Sequence, residues 1–358
     1  MATNKTDKVL NVPTLRFPGF TDEWETLMLS EIAPNISAGR SGNPIENGDF
    51  YLYGSTGIIG KTNNAQYQGE KILIARVGAN AGKISYNNET CGITDNTLIV
   101  KSAKISARYL YYYLTRYNLN RLIFGSGQPL ITGGMLKKIP ISFPELIERN
   151  KIISFLSLLD ERIALQSKLI DRLKSLMDGI RHRLFEKSTV YQSLGNIVEI
   201  RKGKQINGSE LLYDGEYPVM NGGITPSGFL NEYNTPPGTI SISEGGNSCG
   251  YVQFNATPIW SGGHCYTLHL ICGDIDYRYL YHFLKHSESE IMKLRIGSGL
   301  PNIQKKDLSK FPITSYPISN QMKISKTLDV MEARILNGEF MLQSYAKLKA
   351  YLLSVMFI

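Results

Sequence analysis

Two long stretches of the sequence carry mostly apolar residues at alternating steps of four and three, which is the pattern of a heptad seam. The first seam consists of Ile152, Leu156, Leu159, Ile163, Gln166, Ile170, Leu173, Met177, Ile180 and Leu184. The second consists of Ile324, Leu328, Met331, Ile335, Gly338, Leu342, Tyr345, Lys349, Leu352 and Met356. Each seam predicts one helix of about 33 residues, roughly 50 Å long at 1.5 Å per residue, that packs against another helix.

Both predicted helices belong to an internal repeat. The segment 125–131 (GSGQPLI) returns 172 positions later as 297–303 (GSGLPNI), and 139–141 (IPI) returns at the same offset as 311–313 (FPI). Upstream, RYLY at 108–111 returns at 278–281. Several matches in the same order predict a duplicated structural unit.

The segments that precede the two helices have a different character. They hold nearly all the Gly and Pro, short β-rich runs at 71–77 and 239–243, and one aromatic helix each at 106–117 and 276–286. The sequence therefore predicts a mixed α/β chain with two repeated α/β domains and two long helices. We place an N-terminal segment at 1–25, the first domain at 26–144, a central helix at 145–187, the second domain at 188–318 and a C-terminal helix at 319–358.

Composition excludes several classes of protein. Hydrophobic residues make up 42% and charged residues 20% of the 358 positions, as in ordinary globular proteins. No run of 18 apolar residues occurs, and residues 1–13 lack the apolar core of a signal peptide, so we expect neither a membrane span nor secretion. Four cysteines without a C-x-x-C pair favour a reducing, cytoplasmic setting.

The charge is basic but unevenly distributed. The formal net charge is +8, which favours polyanionic partners. Residues 1–144 contain 15 Lys and Arg against 10 Asp and Glu, whereas residues 188–318 contain 10 against 11. If both domains bind nucleic acid, the second must do so through local charge.

The sequence matches two enzyme motifs only in part. The segment 54–62 (GSTGIIGKT) is similar to a phosphate-binding loop, but five residues separate Gly54 from Gly60 where the motif requires four, so we expect a turn-rich loop there and in the matching segment 221–229. Asn234-Thr235-Pro236-Pro237 is similar to the Asn-Pro-Pro-Tyr of DNA adenine methyltransferases but lacks the aromatic residue that stacks on a flipped base. We therefore do not expect methyl transfer by this chain itself.

Metal and hydrolase chemistry has equally little support in the sequence. His264, Cys265, His269 and Cys272 lack paired knuckle spacing, and 266–271 has the pattern of a buried strand, so core packing is the preferred interpretation over zinc. No Glu-x-Lys or Asp-x-Lys nuclease pattern occurs, and five scattered histidines suggest no catalytic triad. We expect no catalytic and no metal site.

The composition of the glycine-rich loops agrees better with DNA binding. Glycine-rich loops with Arg, Lys, Asn and Ser can approach a duplex, where Arg and Lys bind guanine edges and Asn or Gln bind adenine edges. The segment 76–83 (RVGANAGK) has this composition, and 243–248 (SEGGNS) occupies the matching place; ordinary tight turns remain the alternative for each. The candidate DNA-binding residues are Arg76, Asn80, Lys83, Lys61, Gln128, Asn247, Ser248 and Ser298.

These features together resemble a known family. Segment 15–20 (LRFPGF) with Trp24, the two G-S-G segments and the two long helices ending in Leu-Phe or Met-Phe are similar to the specificity subunit of type I restriction-modification systems. The similarity covers essentially the whole chain and is most specific in 140–185 and 312–358.

The resemblance implies two target recognition domains that each bind one half of a split, asymmetric site in double-stranded DNA. It implies that the helices form an antiparallel coiled coil, which would place the domains at opposite ends of a rod. It also implies two methyltransferase subunits with S-adenosylmethionine and up to two motor-nuclease subunits with ATP and magnesium, so no cofactor is expected in this chain. The alternatives are a stand-alone DNA adenine methyltransferase with duplicated recognition domains and a coiled-coil assembly scaffold.

Overall fold

The computed structural model describes residues 11–123, 129–186, 190–297 and 299–358. The chain divides into two compact units, which we call unit 1 (Met1–Gln166 and Met341–Ile358) and unit 2 (Ser167–Phe340). Each unit therefore contains one copy of the sequence repeat and a part of each long helix.

Unit 1 contains nine strands among its described residues. They are β1 (Glu25–Met28), β2 (Ile36–Ala38), β3 (Phe50–Gly54), β4 (Gly57–Thr62), β5 (Lys71–Ala75), β6 (Ile84–Asn87), β7 (Gly92–Ile93), β8 (Thr97–Val100) and β9 (Pro140–Phe143). Its α-helices are α1 (Leu29–Ile32), α2 (Ala107–Tyr117), α3 (Gly133–Lys137), the first part of α4 (Leu146–Phe185) and the last part of the second long helix, Ile318–Met356. The strands form sheets of order β2-β8-β5-β6, β4-β3-β7 and β1-β9.

Unit 2 also contains nine strands among its described residues. They are β10 (Val190–Ser193), β11 (Val198–Lys202), β12 (Tyr217–Met220), β13 (Phe229–Leu230), β14 (Thr239–Ser243), β15 (Val252–Asn255), β16 (Trp260–Ser261), β17 (Cys265–Leu270) and β18 (Pro312–Ser315). Its α-helices are the last part of α4, α5 (Leu194–Ile197), α6 (Tyr277–His286), α7 (Glu288–Met292), α8 (Lys305–Ser309) and the first part of α9 (Ile318–Met356). The sheet orders are β11-β17-β14-β15, β13-β12-β16 and β10-β18.

The two units repeat one another sheet by sheet. Each sheet of unit 1 has a counterpart of the same strand order in unit 2, and the one parallel pairing in the described part of each unit, β3 with β7 and β12 with β16, occurs at the same place. The prediction of a mixed α/β fold with two repeated α/β domains and two long helices is therefore confirmed. The predicted aromatic helices are α2 and α6, whose first turns are capped by the side chains of Ser106 and Asp276.

The core of unit 1 is built by α2, by strands β5, β8 and β9 and by the two long helices. Tyr109 and Tyr112 of α2 are fully buried. Tyr109 packs edge-on against Trp24 and contacts Phe357, which follows α9, at a centroid distance of 5.3 Å. The core also receives Ile152 and Leu156 from α4. The end of the chain is therefore part of the first domain's hydrophobic core.

Unit 2 builds its core around Phe185, at the end of α4. The Phe185 ring packs edge-on against Tyr279 and Phe283 of α6, at centroid distances of 5.5 and 5.4 Å. The Tyr279 hydroxyl donates to the Thr314 carbonyl of β18 at 3.0 Å. The aromatic faces of α2 and α6 thus have equivalent roles in the two repeats.

Within each unit, α4 and α9 run antiparallel. In unit 1, Asp160 binds Lys349 at 2.5 Å, and Arg162 donates to the hydroxyl of Tyr345 at 3.3 Å. The residue numbers of the contacts rise along α4 and fall along α9. In unit 2, Lys174 binds Glu339 at 2.6 Å, and the hydroxyl of Tyr316, just before α9, donates to the Leu184 carbonyl near the end of α4. The antiparallel direction implied by the resemblance is found in each unit.

The seam positions lie on the less exposed face of each long helix. Ile152, Leu156, Leu328 and Ile335 are buried. The remaining four candidate seam residues are half-buried, namely Leu159, Ile163, Leu173 and Leu342. Gln166, the polar residue of the first seam, and Gly338, the glycine of the second seam, are buried as well.

One local prediction is wrong. The segment Gly54 to Thr62 is a β-hairpin of β3 and β4, not a turn-rich loop, and Lys61 lies opposite Tyr51 in its register. The hairpin forms because the glycines permit the irregular register between Leu52 and Tyr53 and the left-handed φ of +104° at Gly57. In the matching segment, strand pairing begins only at Phe229.

Candidate nucleic-acid interface

The loops between β5 and β6 and between β14 and β15 have the same backbone frame. The N–H of Arg76 donates to the Asn96 carbonyl at 3.0 Å, and the N–H of Glu244 donates to the His264 carbonyl at 2.9 Å. Both acceptors lie 20 positions further along the chain. Arg76 and Glu244 are therefore structurally equivalent positions of the repeat.

The rest of the frame also repeats. In unit 1, the Ala81 N–H donates to the Gly78 carbonyl at 2.9 Å; in unit 2, the Cys249 N–H donates to the Gly246 carbonyl at 3.1 Å. Gly78 and Gly246 have φ values of +75° and +78°, a left-handed conformation that favours glycine. The glycines of these loops fix the turn, and the side chains between them are free to differ.

The segments that follow the two G-S-G motifs hold these loops in place. In unit 1, the Pro129 carbonyl accepts from the Gly78 N–H at 3.0 Å, and the Ile131 N–H donates to the Arg76 carbonyl at 2.9 Å. Pro301 and Ile303 make the corresponding bonds to Gly246 and Glu244 at 3.0 and 2.8 Å. Gln128 and Ser298, two of the candidate contacts, lie outside the described residues.

In unit 1, the candidate residues Arg76, Asn80 and Lys83 lie in the β5–β6 loop, whereas Lys61 lies on β4. Arg76 is half-buried; its Nη1 lies 3.4 Å from the Asp95 carbonyl, and its buried Nε has no hydrogen-bond partner among the described residues. Lys83 and Lys61 are exposed, and Asn80 is half-buried at the end of the short 3-10 turn Gly78–Asn80. The Asn80 carbonyl accepts from the Lys83 N–H at 3.0 Å, so the two residues share one turn.

Unit 2 contains a concavity of about 480 Å³ beside its loop. Asn247 is exposed, Ser248 is half-buried, and both line this space. The other polar side chains that line it are Lys202, Asn221, Ser227, Glu244, His264 and Asn302. The lining residues come from β11, from the loops that follow β12 and β14, from the loop that precedes β17 and from the segment after the second G-S-G motif.

Glu244 is the most deeply buried of these side chains, with 10% of its side chain exposed. Its Oε1 accepts from Lys202 Nζ at 2.7 Å and from the hydroxyl of Tyr266 at 3.0 Å. Its Oε2 has no hydrogen-bond partner among the described residues, and His264 Nδ1 lies 3.9 Å from it. Burial and the bond to Glu244 raise the pKa of Tyr266 above its usual range, so the phenol stays protonated and can donate.

Sequence analysis missed Glu244 and Lys202. The neighbouring cations Arg201, Lys202 and Lys204 have separate roles: Arg201 pairs with Glu199 at 2.6 Å, and Lys204 lies 5.7 Å from the Trp260 ring. Only Lys202 reaches the concavity. The alternation of side chains along β11 was the available signal, because residues two apart on a strand share a face.

The histidines and cysteines singled out for zinc do not form a cluster. Cys265 is buried on β17, whereas His264 is exposed. Within the described ranges, the one group of three potential ligands is His282, Asp329 and Glu332. Arg278 binds both carboxylates of this group, at 2.5 and 2.9 Å, so a guanidinium already supplies the positive charge there.

Comparison with known proteins extends these observations. The family model described as "Type I restriction modification DNA specificity domain" matches residues 21–175 and 187–339, once for each repeat. A Mycoplasma pneumoniae protein named as a type I specificity subunit is 38% identical over 146 residues, which span 40% of this chain and 39% of that protein. One from Haemophilus influenzae, named as a type I restriction enzyme specificity subunit, is 25% identical over 360 residues and 87% of each chain.

The alignments span 39% of the length of the M. pneumoniae relative and 62% of the length of a relative from Mycoplasma genitalium, which is 28% identical over 236 residues. Among solved structures, the crystal structure of a type I restriction-modification system S subunit from M. genitalium has a TM-score of 0.78 at 21% identity, covering 97% of this chain and 99% of that one. This structural similarity supports the fold described above. No helix in the described part of the chain is both long enough and apolar enough to cross a membrane.

Proposed function

Because the chain belongs to the family of type I restriction-modification DNA specificity domains, we propose that it is the DNA-recognition subunit of such a system. In this role, the α/β domain of each unit binds one half of a bipartite, asymmetric site in double-stranded DNA. The chain itself performs no catalysis.

The observation that carries the proposal is the pair of equivalent loops. Two domains that recognise different half-sites need the same scaffold with different side chains at the surface. The loops at 76–83 and 244–251 share their backbone hydrogen bonds but differ in charge at Arg76 and Glu244. A shared frame with variable side chains is the arrangement that two related but distinct half-sites require.

We further propose the partners that the resemblance implies: two methyltransferase subunits and up to two motor-nuclease subunits. S-adenosylmethionine would bind the former, and ATP and magnesium the latter. The exposed apolar residues on the outer faces of the long helices, such as Leu158, Leu165 and Leu336 at 66%, 55% and 60% exposure, support docking of partners along α4 and α9.

The stand-alone methyltransferase is the enzyme alternative. Purified chain with labelled S-adenosylmethionine and DNA separates the two proposals. We expect no methyl incorporation with the chain alone and sequence-specific incorporation after methyltransferase subunits are added. Methyl transfer by the chain alone would refute the proposal. A pure scaffold would instead leave the assembled complex without salt-sensitive DNA binding.

A further inference from the structure

The equivalent positions 76 and 244 differ in hydrogen-bonding character. Arg76 offers only donors, whereas an ionised Glu244 offers only acceptors. Each side chain starts from the same backbone frame, and each retains one buried polar atom without a partner among the described residues, Nε of Arg76 and Oε2 of Glu244. A buried polar atom without a partner costs free energy, so such atoms call for an explanation.

Glu244 supplies the clearer case. Its two oxygens are used unequally, because Lys202 Nζ and the Tyr266 hydroxyl both contact Oε1, while Oε2 has no partner among the described residues; Glu244 itself lines the concavity of about 480 Å³. Lys202 thus fixes one oxygen and leaves the other as an acceptor. The side chains around it include Asn221, Asn247 and Asn302, which carry amide donors and acceptors but no charge.

We propose that positions 76 and 244 are equivalent specificity-determining positions, and that Glu244 Oε2 accepts a hydrogen bond from the exocyclic amino group of a base, N4 of cytosine or N6 of adenine. Arg76 donates at the same position of the other domain to a base with acceptors on its edge, of which guanine is the preferred partner of Arg. The inference rests on the proposed function, and it predicts opposite donor and acceptor character at one position of the two half-sites.

The test uses the complex of this chain with its methyltransferase subunits and a duplex that carries the methylated motif, identified by methylome sequencing. Each cytosine and adenine of the site is replaced in turn by an analogue without the exocyclic amino group, 2-pyrimidinone or purine. With the unmodified chain, one of these replacements should weaken binding about 5- to 150-fold, the range of a 1 to 3 kcal/mol contact.

The decisive variant is Glu244→Gln. Because Lys202 donates at the Oε1 position, the amide oxygen should take that place and the NH₂ group should face the DNA, which converts the acceptor into a donor. The penalty for the missing amino group should then fall to less than 2-fold, and preference should move to a base with a carbonyl at that place. Glu199→Gln, an exposed carboxylate on β11, is the matched control and should leave every penalty unchanged.

A second pair of variants keeps the inference falsifiable if Glu244→Gln fails to assemble. Glu244→Asp keeps the negative charge beside Lys202 but withdraws the carboxylate, and it should abolish the same penalty. Arg76→Gln should abolish the penalty for 7-deazaguanine in the other half-site. If both Glu244 variants form complexes that bind DNA and keep the same amino-group penalties, this inference is overturned and the proposed function is not. Failure of the unmodified complex to bind any DNA would refute the proposed function.

Discussion

Arg16 binds Glu148 through two hydrogen bonds of 2.7 Å each, one from Nε and one from Nη2. Glu148 has 1% and Arg16 13% of its side chain exposed, so this is a nearly dry ion pair between the N-terminal segment and the first turn of α4. The bond to Glu148 raises the pKa of Arg16 above its ordinary value despite the opposing effect of burial. The N–H of Leu15, next to it, donates to the Val355 carbonyl of α9 at 2.8 Å.

Removal of one partner of this pair should destabilise unit 1 strongly. Glu148→Ala leaves a buried guanidinium without its carboxylate, at an expected cost of about 3 to 5 kcal/mol. Hydrogen exchange of residues in α2 and the first part of α4 measures the effect. The control is Glu339→Ala, which breaks the half-exposed pair with Lys174 and should cost less than about 1 kcal/mol. Equal effects of the two substitutions would contradict this prediction.

Exchange of residues 188 to 318 for the equivalent domain of a relative should alter one half of the methylated motif. The exchanged segment contains every strand of unit 2, while unit 1 keeps its own sheets and loop. Methylome sequencing of cells that carry the hybrid and its partner subunits provides the measurement. A hybrid that changes both halves at once would show that the domains do not recognise DNA independently.

Arg76→Ala should reduce specific DNA affinity by about 1 to 3 kcal/mol. Arg76 belongs to no salt bridge within the described ranges, so its removal should leave the melting temperature of the chain nearly unchanged. Binding titrations of the assembled complex at fixed salt, paired with thermal unfolding, separate the two effects. A variant that melts early but binds normally when folded would make Arg76 a structural residue.

The long helices should set the distance between the half-sites. Deletion of Ile163 to Leu169 together with Ile335 to Met341 removes one heptad from each helix and preserves the phase of the seam. It shortens each helix by roughly 10 Å, or about 3 bp of DNA, and should rotate the second half-site by roughly 100° around the duplex. Methylation at the original spacing should be lost and any remaining activity should need a shorter spacer. Unchanged methylation at the original spacing would show that helix length does not determine it.

Mild acid should destabilise unit 2 before unit 1. All five histidines of the chain lie in unit 2. Burial lowers the pKa of His269, His282 and His286 below the ordinary value of about 6.5. At a pH between about 6.5, where histidines of the unfolded chain titrate, and the lower pKa of each histidine in the folded chain, the unfolded chain binds more protons than the folded chain. The stability of unit 2 therefore falls as the pH falls below about 6.5.

Hydrogen exchange between pH 7.5 and 5 tests this difference, with unit 1 as the internal reference. The His282→Gln variant removes one titrating group and should make the pH dependence of unit 2 shallower, even if its stability at neutral pH is lower. His282 Nδ1 lies 3.2 Å from Arg181 Nη2, and His282 Nε2 lies 2.7 Å from Asp329 Oδ1; burial and Arg181 lower the pKa of the ring, whereas the bond to Asp329 opposes them. Parallel loss of protection in the two units would contradict the prediction.

Much of the fold could be predicted because its signals are periodic or repeated. The seam of α4 depends on residues three and four apart, and the duplication appears directly as matching segments. The hairpin at Gly54 to Thr62 escaped prediction because its glycine-rich second strand resembles a loop, and strand pairing depends on a partner that the local sequence does not reveal.

The candidate site was predicted less completely. Arg76 was identified because a cation in a glycine-rich loop suggests DNA binding by composition alone. Glu244 was passed over because an acidic side chain contradicts that expectation until its surroundings are known. Those surroundings come from Lys202, 42 positions earlier, and from Tyr266, 22 positions later, and only the folded sheet brings them together.

The contribution of Leu352, Met356 and Phe357 to the core of unit 1 has a consequence for protein synthesis. Unit 2 is one uninterrupted stretch, so it can fold as soon as its last residue leaves the ribosome. Unit 1 begins to emerge earlier, yet the faces of Tyr109 and Tyr113 that pack against Phe357 stay uncovered until the end of α9 and Phe357 are translated. The domain made first is therefore completed last, and the nascent chain exposes apolar surface to chaperones throughout elongation of the second repeat.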